Sequence, residues 1–346
     1  MHFVTLLIAS IGGALLNFTN LPLAWLLGAM FSVALCSLFT KRFYVPNRLR
    51  FAGTAILGTV VGSLVNADIF HLLVQYAPSI GAMLGFQLLL VCIGTWFILR
   101  YAGADRLSGL LAAYPGSISQ ITAISLDNKC NTQLIAVNHT CRLFLVIAFI
   151  PLAITAFSGD IIIEQQVVKE GHNGFINYAL PMTIALTGYL IGDALKIMTP
   201  SLFGPMILAA IFSMTGLLPN IPTGEWLIPL AQIIIGASVG LRFQNMSSDA
   251  WKNIASIHLP YGLTLLTMTL AAGWSVHILL EIPFETSLLI MAPGGLSEMV
   301  LIAFALDIDP VMVTSHHVIR SLFGFLLIPW LMQLWAKTKT IESPNN

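Results

Sequence analysis

Apolar residues run along this chain in long blocks rather than at a spacing that would mark one buried face. Blocks of about 17 to 25 residues, enough for a helix to cross ~30 Å of hydrocarbon, lie at roughly 3–19, 22–40, 52–67, 78–100, 107–126 and 132–157. A polar stretch, SGDIIIEQQVVKEGHNGFIN, occupies 158–177. Six more blocks follow at roughly 178–196, 199–217, 226–243, 259–280, 285–306 and 310–335, and then the polar tail KTKTIESPNN, expected to be disordered. The pattern predicts an all-α, polytopic membrane protein.

Composition strengthens that reading. Of 346 residues 57% are apolar and 9% charged, against about 25% charged in an ordinary soluble domain. A soluble core of this size has no room for so much apolar surface. The formal net charge is zero, so the basic footprint of a nucleic-acid binder is missing. Met1 and His2 run straight into apolar sequence, with no basic n-region or small-residue cleavage site. Cys36, Cys92, Cys130 and Cys141 form neither a zinc spacing nor a disulfide framework and read as packing residues.

The two sets of six blocks align. At an offset of 178, Gly58 and Gly62 meet Gly236 and Gly240, Trp96 meets Trp274, Pro115-Gly116 meets Pro293-Gly294, and Ser119 meets Ser297. His139, Arg142 and Pro151 meet His317, Arg320 and Pro329 without a gap. Nearer the N-terminus the offset is 176: Gly12, Asn17, Gly28 and Met30 meet Gly188, Asp193, Gly204 and Met206. Pro, Gly, Trp, His and Arg do not fall into one register by chance. The expected organisation is membrane repeat 1 (1–157), a polar linker (158–177), membrane repeat 2 (178–336) and a cytoplasmic tail (337–346).

Charge gives the relative orientation, because Lys and Arg near span ends mark the cytoplasmic side. KRFYVPNRLR (41–50) is strongly basic, and its counterpart LLPNIPTGEW (217–226) has no basic residue. NADIFHLLVQYAPS (66–79) lacks Lys and Arg, while its counterpart carries Arg242 and Lys252. Arg100 and Arg106 face Glu281 and Glu285, and SGD faces KTK. Four consecutive loops exchange sign, the expected mark of inverted-topology repeats with both termini cytoplasmic.

Inversion requires an odd number of crossings per repeat, so one of six blocks enters and leaves on the same side. The fifth qualifies: AYPGSISQ (113–120) and APGGLSEM (292–299) place helix breakers in mid-block. Each repeat is expected to hold about five spans plus one broken or re-entrant segment. Non-helical backbone at membrane depth survives only where protein buries it or water reaches it.

The chemistry gathers at these breaks. Pro115, Gly116 and Ser117, like Pro293, Gly294 and Gly295, either let backbone approach a ligand or simply turn the chain. Ser119, Gln120, Ser297 and Glu298 follow and offer side-chain ligands. His139/Arg142 and His317/Arg320 are i, i+3 pairs, each on one helix face. A membrane arginine needs a partner or a cavity. It either neutralises an anionic substrate group, with His carrying a proton, or ties down carbonyls of the broken segment. Glu298 has Gln120 as its counterpart. It is either a proton carrier or the partner of Arg142 or Arg320 in a fixed salt bridge. Asn17 and Asp193 read as polar helix ends; His71, His172 and His258 fall in loops, and His277 lies near a span end.

At PGGLSEM (293–299), with PGS in the first half and the paired Arg segments, the sequence resembles the AbrB family of membrane proteins, over about 1–336. That family is distinct from the soluble DNA-binding regulators of the same name. Its members have been labelled ammonia monooxygenases, and one is linked genetically to regulation of another gene's expression. The resemblance implies a duplicated membrane module and a transporter, without naming a solute. Ser117 departs from the second PGG motif, which weakens a ligand role there.

The expectation is a secondary transporter in the cell (inner) membrane, multi-pass. It moves a small polar, anionic solute by alternating access with proton coupling. Its partners are that solute, the lipid bilayer and, for a homodimer, a second copy; no nucleic acid and no cofactor are expected, and no enzyme activity. The alternatives are a membrane regulator or sensor, a channel, and a metal-dependent monooxygenase built on His139, His316, His317 and Glu298.

Overall fold

The computed structural model describes residues 2–19, 21–66, 68–116, 118–157, 175–197, 199–216, 227–244, 246 and 248–341. All regular structure among them is helical. In the first half lie α1 (His2–Asn17), α2 (Ala24–Phe39), α3 (Asn47–Ser63), α4 (Ile69–Gln75), α5 (Ala77–Ala102), α6 (Arg106–Ala113), α7 (Ile118–Asp127) and α8 (Thr132–Phe157). In the second lie α9 (Phe175–Ala194), α10 (Pro200–Met214), α11 (Leu227–Gly240), α12 (Ser248–Asn253), α13 (Leu259–Leu280), α14 (Phe284–Met291), α15 (Leu296–Ala305) and α16 (Pro310–Ile341). A 3₁₀ turn (Leu241–Phe243) follows α11, and a π-helical turn (Ile254–His258) leads into α13.

The backbone repeats itself at the offsets that align the sequence. Left-handed residues stand at Leu23 and Thr199, at Gly103 and Glu281, and at Lys129 and Asp307. Only Gly103 of these six adopts that conformation without Cβ strain. Caps recur too. Asn131 Oδ1 accepts from Leu134 N at the start of α8, and Asp309 Oδ1 accepts from Met312 N at the start of α16.

Each fifth block breaks as expected: α6 stops at Ala113 and α7 starts at Ile118, and α14 stops at Met291 and α15 starts at Leu296. Four helical stretches are long and apolar enough to cross a membrane: 77–102, 132–157, 251–280 and 310–332. The full five spans per repeat are not matched in length. α1, α2, α3, α10 and α11 have 14 to 17 residues, which at ~1.5 Å per residue gives about 21–26 Å. Two boundaries also move. α9 begins at Phe175, inside the expected linker, whose residues 158–174 lie outside the described part. α16 runs to Ile341, into the expected disordered tail, whose residues 342–346 lie outside the described part; no Gly or Pro stands between Pro329 and Ile341 to stop it.

The helices sort into two bundles. α1, α2 and α3 pack with α9, α10 and α11; α5 to α8 pack with α13 to α16. Contacts of α15 with α3 and α11, and of α16 with α3, join them. The first bundle is held by small residues in reciprocal positions. A Cβ on Gly58 would overlap the Leu202 carbonyl, and one on Gly236 would overlap the Leu26 carbonyl. Gly62 and Gly240 stand in the same way against Met206 and Met30, and Gly28 and Gly204 against Gly12 and Gly188. Close backbone approach at small residues is how helices associate without a hydrophobic driving force between them. Meanwhile Phe3, Leu7, Ile11 and Leu15 form an exposed stripe along α1, and Arg142 of α8 and Arg320 of α16 are buried. Apolar side chains face out and ionic ones face in, as hydrocarbon surroundings require.

Candidate functional site

A helix that stops in mid-bundle leaves four carbonyls without intrahelical donors. At the end of α6 side chains reach four successive carbonyls. His139 Nε2 donates to Leu111 O (2.9 Å), Asn138 Nδ2 to Ala112 O (2.8 Å), Tyr261 Oη to Ala113 O (3.4 Å) and Arg142 Nη1 to Tyr114 O (3.1 Å). At the end of α14 the same positions act. His317 Nε2 donates to Leu289 O (3.1 Å), and Arg320 reaches Ala292 O and Gly294 O (2.5 Å each). The His and Arg bonds span 28 residues in both repeats. A helix C-terminus carries partial negative charge, so each guanidinium meets both an electrostatic and a hydrogen-bonding need. Of the two roles expected for the arginines, this geometry displays the tie to the broken segment.

The histidines are equally constrained. Arg142 Nη2 donates to His139 Nδ1 (3.0 Å), so the His139 proton sits on Nε2, and a second proton would set N–H against N–H. His317 Nδ1 has no hydrogen-bond partner among the described residues. His316 lies elsewhere: Nδ1 donates to Met312 O (2.8 Å) and Nε2 meets Ser79 Oγ (2.9 Å) on α5.

Beyond each break a new helix begins, and its free N–H groups favour negative charge. Glu298 occupies the first turn of α15, is buried, and accepts from Ser297 Oγ (2.9 Å). Gly295 has no room for a Cβ because the Glu298 carboxylate fills that space. Gly294, Gly295, Leu296 and Ser297 are partly accessible, although buried residues precede and follow them. In the first repeat Pro115 is buried and Gly116 partly so. Ser117 and the side chains of Ser119 and Gln120 lie outside the described part.

Residues that the sequence pattern did not single out complete the site. Tyr114 is buried and its hydroxyl accepts from Gln87 Nε2 (2.7 Å). His258, expected in a loop, is buried in the π turn and meets Asn138 Oδ1 at 2.9 Å. Arg242 follows α11 and is close enough to Glu298, Arg142 and His139 for its charge to act on all three. The signal for Arg242 was its asymmetry. It stands where the first repeat has Leu64, as Glu298 stands where the first repeat has Gln120. Among the described residues, no group of three His, Cys, Asp or Glu is placed to hold a metal ion.

Outward apolar helices around buried, hydrogen-bonded ionic groups define an all-helical, membrane-embedded protein. The chain belongs to the AbrB family: the family described as "Transition state regulatory protein AbrB" matches residues 25–336. Among its relatives is a protein of Escherichia coli K12 called "Putative regulator AbrB". That protein is 26% identical over 313 residues, covering 89% of this chain and 88% of the relative. A Bacillus subtilis 168 protein, "Uncharacterized protein YhjN", is 23% identical over 345 residues, covering 93% and 90%.

Proposed function

We propose that this protein is a secondary transporter for a small anionic solute, built from two inverted repeats and working by alternating access between its two bundles. The observation that carries this reading is the pair of broken helices. Each is held open at its C-terminal end by a His–Arg pair in the same register. Broken helices at the interface of inverted repeats are the general device by which transporters offer backbone groups to a solute. The sign of the solute follows from charge. The charge of Arg242 acts on Arg142, and that of Arg142 on Arg320, so three cations lie in sequence beside the breaks, and Glu298 is a charge partner of Arg242 alone among them. The reciprocal glycine contacts and the repeated left-handed residues support a two-fold relation of the repeats. The exchanged loop charges support an axis in the membrane plane.

Topology has a supporting contact. Gln244 Nε2 donates to Lys41 O (2.7 Å), and the charge of Arg50 acts on Arg242, so the two basic loops share one face. On the positive-inside argument that face is cytoplasmic.

The test is reconstitution in liposomes with uptake of radiolabelled small anions, chiefly phosphate, sulfate and C2–C4 carboxylates, with and without a pH gradient. Saturable uptake above protein-free vesicles is expected for at least one. Absence of saturable flux for all of them sinks the transporter reading. A regulatory role, the second reading, has the printed names of the family and the Escherichia coli relative in its favour. It would show as altered gene expression in a deletion strain without any change in solute flux.

A further inference from the structure

Two charged groups break the repeat, and the charge of one acts on the other across the joint between the bundles. Arg242 belongs to the first bundle, in the turn that ends α11; Glu298 belongs to the second, in the first turn of α15. Phe243 packs edge-on against Phe144 of α8 (5.0 Å between ring centroids), and Met246 and Ile254 pack on Val137 and Cys141. The Arg242 turn is therefore seated on the helix that carries Arg142. Nη1 of Arg242 and Nε of Arg142 are both buried with no hydrogen-bond partner among the described residues. A buried guanidinium donor without a partner is unfavourable, so two in the same neighbourhood call for a shared acceptor.

Resting on the transporter reading above, we propose that Arg242 and Arg142 jointly hold the anionic group of the solute, with Glu298 as the counter-charge of Arg242 in the empty site. Solute and the Glu298 carboxylate then compete for one guanidinium. Removing the Glu298 charge therefore frees Arg242 for the anion. The site closes by drawing Arg242 of one bundle onto the bound anion held by the other. The partly accessible Gly294–Ser297 stretch gives the solute its approach to the α15 N-terminus. The other titratable or charged groups on elements packed against α15 are Arg48 and Arg50 on α3, His139, Cys141 and Arg142 on α8, and His316, His317, Arg320, Lys337 and Lys339 on α16.

The experiment uses the purified full-length protein in detergent. Thermal protection by phosphate, sulfate, acetate and succinate is titrated between pH 5.5 and 8.5. Wild type is expected to bind at least one anion. Arg242→Ala should weaken that binding at least tenfold, with a lower unliganded melting temperature because buried Glu298 loses its counter-charge. Arg242→Lys should recover part of the affinity, and it replaces the Ala variant as the probe if that one fails to fold. Glu298→Gln, which removes the competing charge, should bind that anion several-fold more tightly than wild type throughout this range. Equal affinity in wild type and Arg242→Ala overturns the inference and leaves the transporter reading standing. Unchanged affinity in Glu298→Gln overturns the competition between Glu298 and the anion. No protection of wild type by any of these anions overturns both the inference and the anion site it rests on.

Discussion

Asn138 on α8 and His258 at the foot of α13 share a buried hydrogen bond of 2.9 Å between residues 120 positions apart. Asn138 Oδ1 only accepts, so His258 Nδ1 is the donor, and Asn138 spends its amide N–H on Ala112 O (2.8 Å). The equivalent position of the second repeat is His316, which meets Ser79 on α5. The sixth segment of each repeat is thus tied to the fourth segment of the other. Asn138→Ala removes the acceptor of His258 and the donor of Ala112 together. At ~1–3 kcal/mol for each buried orphan, a loss of about 2–4 kcal/mol in unfolding free energy is expected. Thermal or denaturant unfolding in detergent measures it. A loss below ~0.5 kcal/mol would mean that neither bond matters.

Much of this was legible in the sequence, for physical reasons that can be named. Pro115-Gly116 and Pro293-Gly294 cannot continue a helix, so the two breaks could be read directly. His139, Arg142, His317 and Arg320 are costly in hydrocarbon, so their gathering at the breaks follows from energy alone. What the charges touch was not legible. Arg142 and Arg320 reach backbone carbonyls, and any residue supplies a carbonyl, so sequence carries no mark of the partner. Arg242 was read as a topology marker because a basic residue at a span end has that simpler use. The short α1, α2 and α11 were hidden because apolar residues continue past their ends, as Phe18 and Leu241 do.

The glycine contacts make a prediction with an internal control. In Gly58 and Gly236 a methyl group would press into the carbonyls of Leu202 and Leu26, which are backbone and cannot swing aside. Gly58→Ala and Gly236→Ala should each destabilise by about 1–3 kcal/mol. Gly81 of α5 has open space around the point where a methyl group would stand, with nothing within 4 Å. Gly81→Ala should therefore stabilise, by up to ~1 kcal/mol of helix propensity. Unfolding of the three variants side by side tests the pair: equal effects at all three would remove the claim that these glycines set the distance between α3 and α10 and between α2 and α11.

Asp105 supplies a pH-dependent term at the entry of the first broken segment. Its Oδ1 accepts from Leu107 N (3.1 Å) and Ser108 N (3.0 Å), capping α6. Partial burial pushes its carboxyl upward, but the hydrogen bonds from Ser108 and Leu107 outweigh that and hold it below the ordinary value. A lowered folded-state pKa means that the stabilisation is complete above the unfolded carboxylate range and is lost as pH falls through the folded value. Asp105→Ala should cost about 1 kcal/mol at neutral pH. The gap between wild type and variant should narrow below pH ~4, and a gap that widens on acidification contradicts the cap.

Arg320 separates bracing from binding. Its two Nη groups hold Ala292 O and Gly294 O on either side of Pro293, so it fixes where α14 ends and how the chain turns into α15. Arg320→Ala leaves two buried carbonyls without donors. At ~1.5–3 kcal/mol for each charge-assisted bond, a loss on the order of 3–6 kcal/mol is expected, along with all uptake in liposomes. Arg320→Lys carries one ammonium and cannot reproduce the planar two-pronged reach, so it should fall between Ala and wild type in stability. The contrast with Arg242→Ala is the decisive reading, because that change should lose anion affinity at a smaller cost in stability. If Arg320→Ala instead keeps wild-type stability and loses only anion affinity, then Arg320 serves the solute, and the carbonyls at the break are satisfied by water.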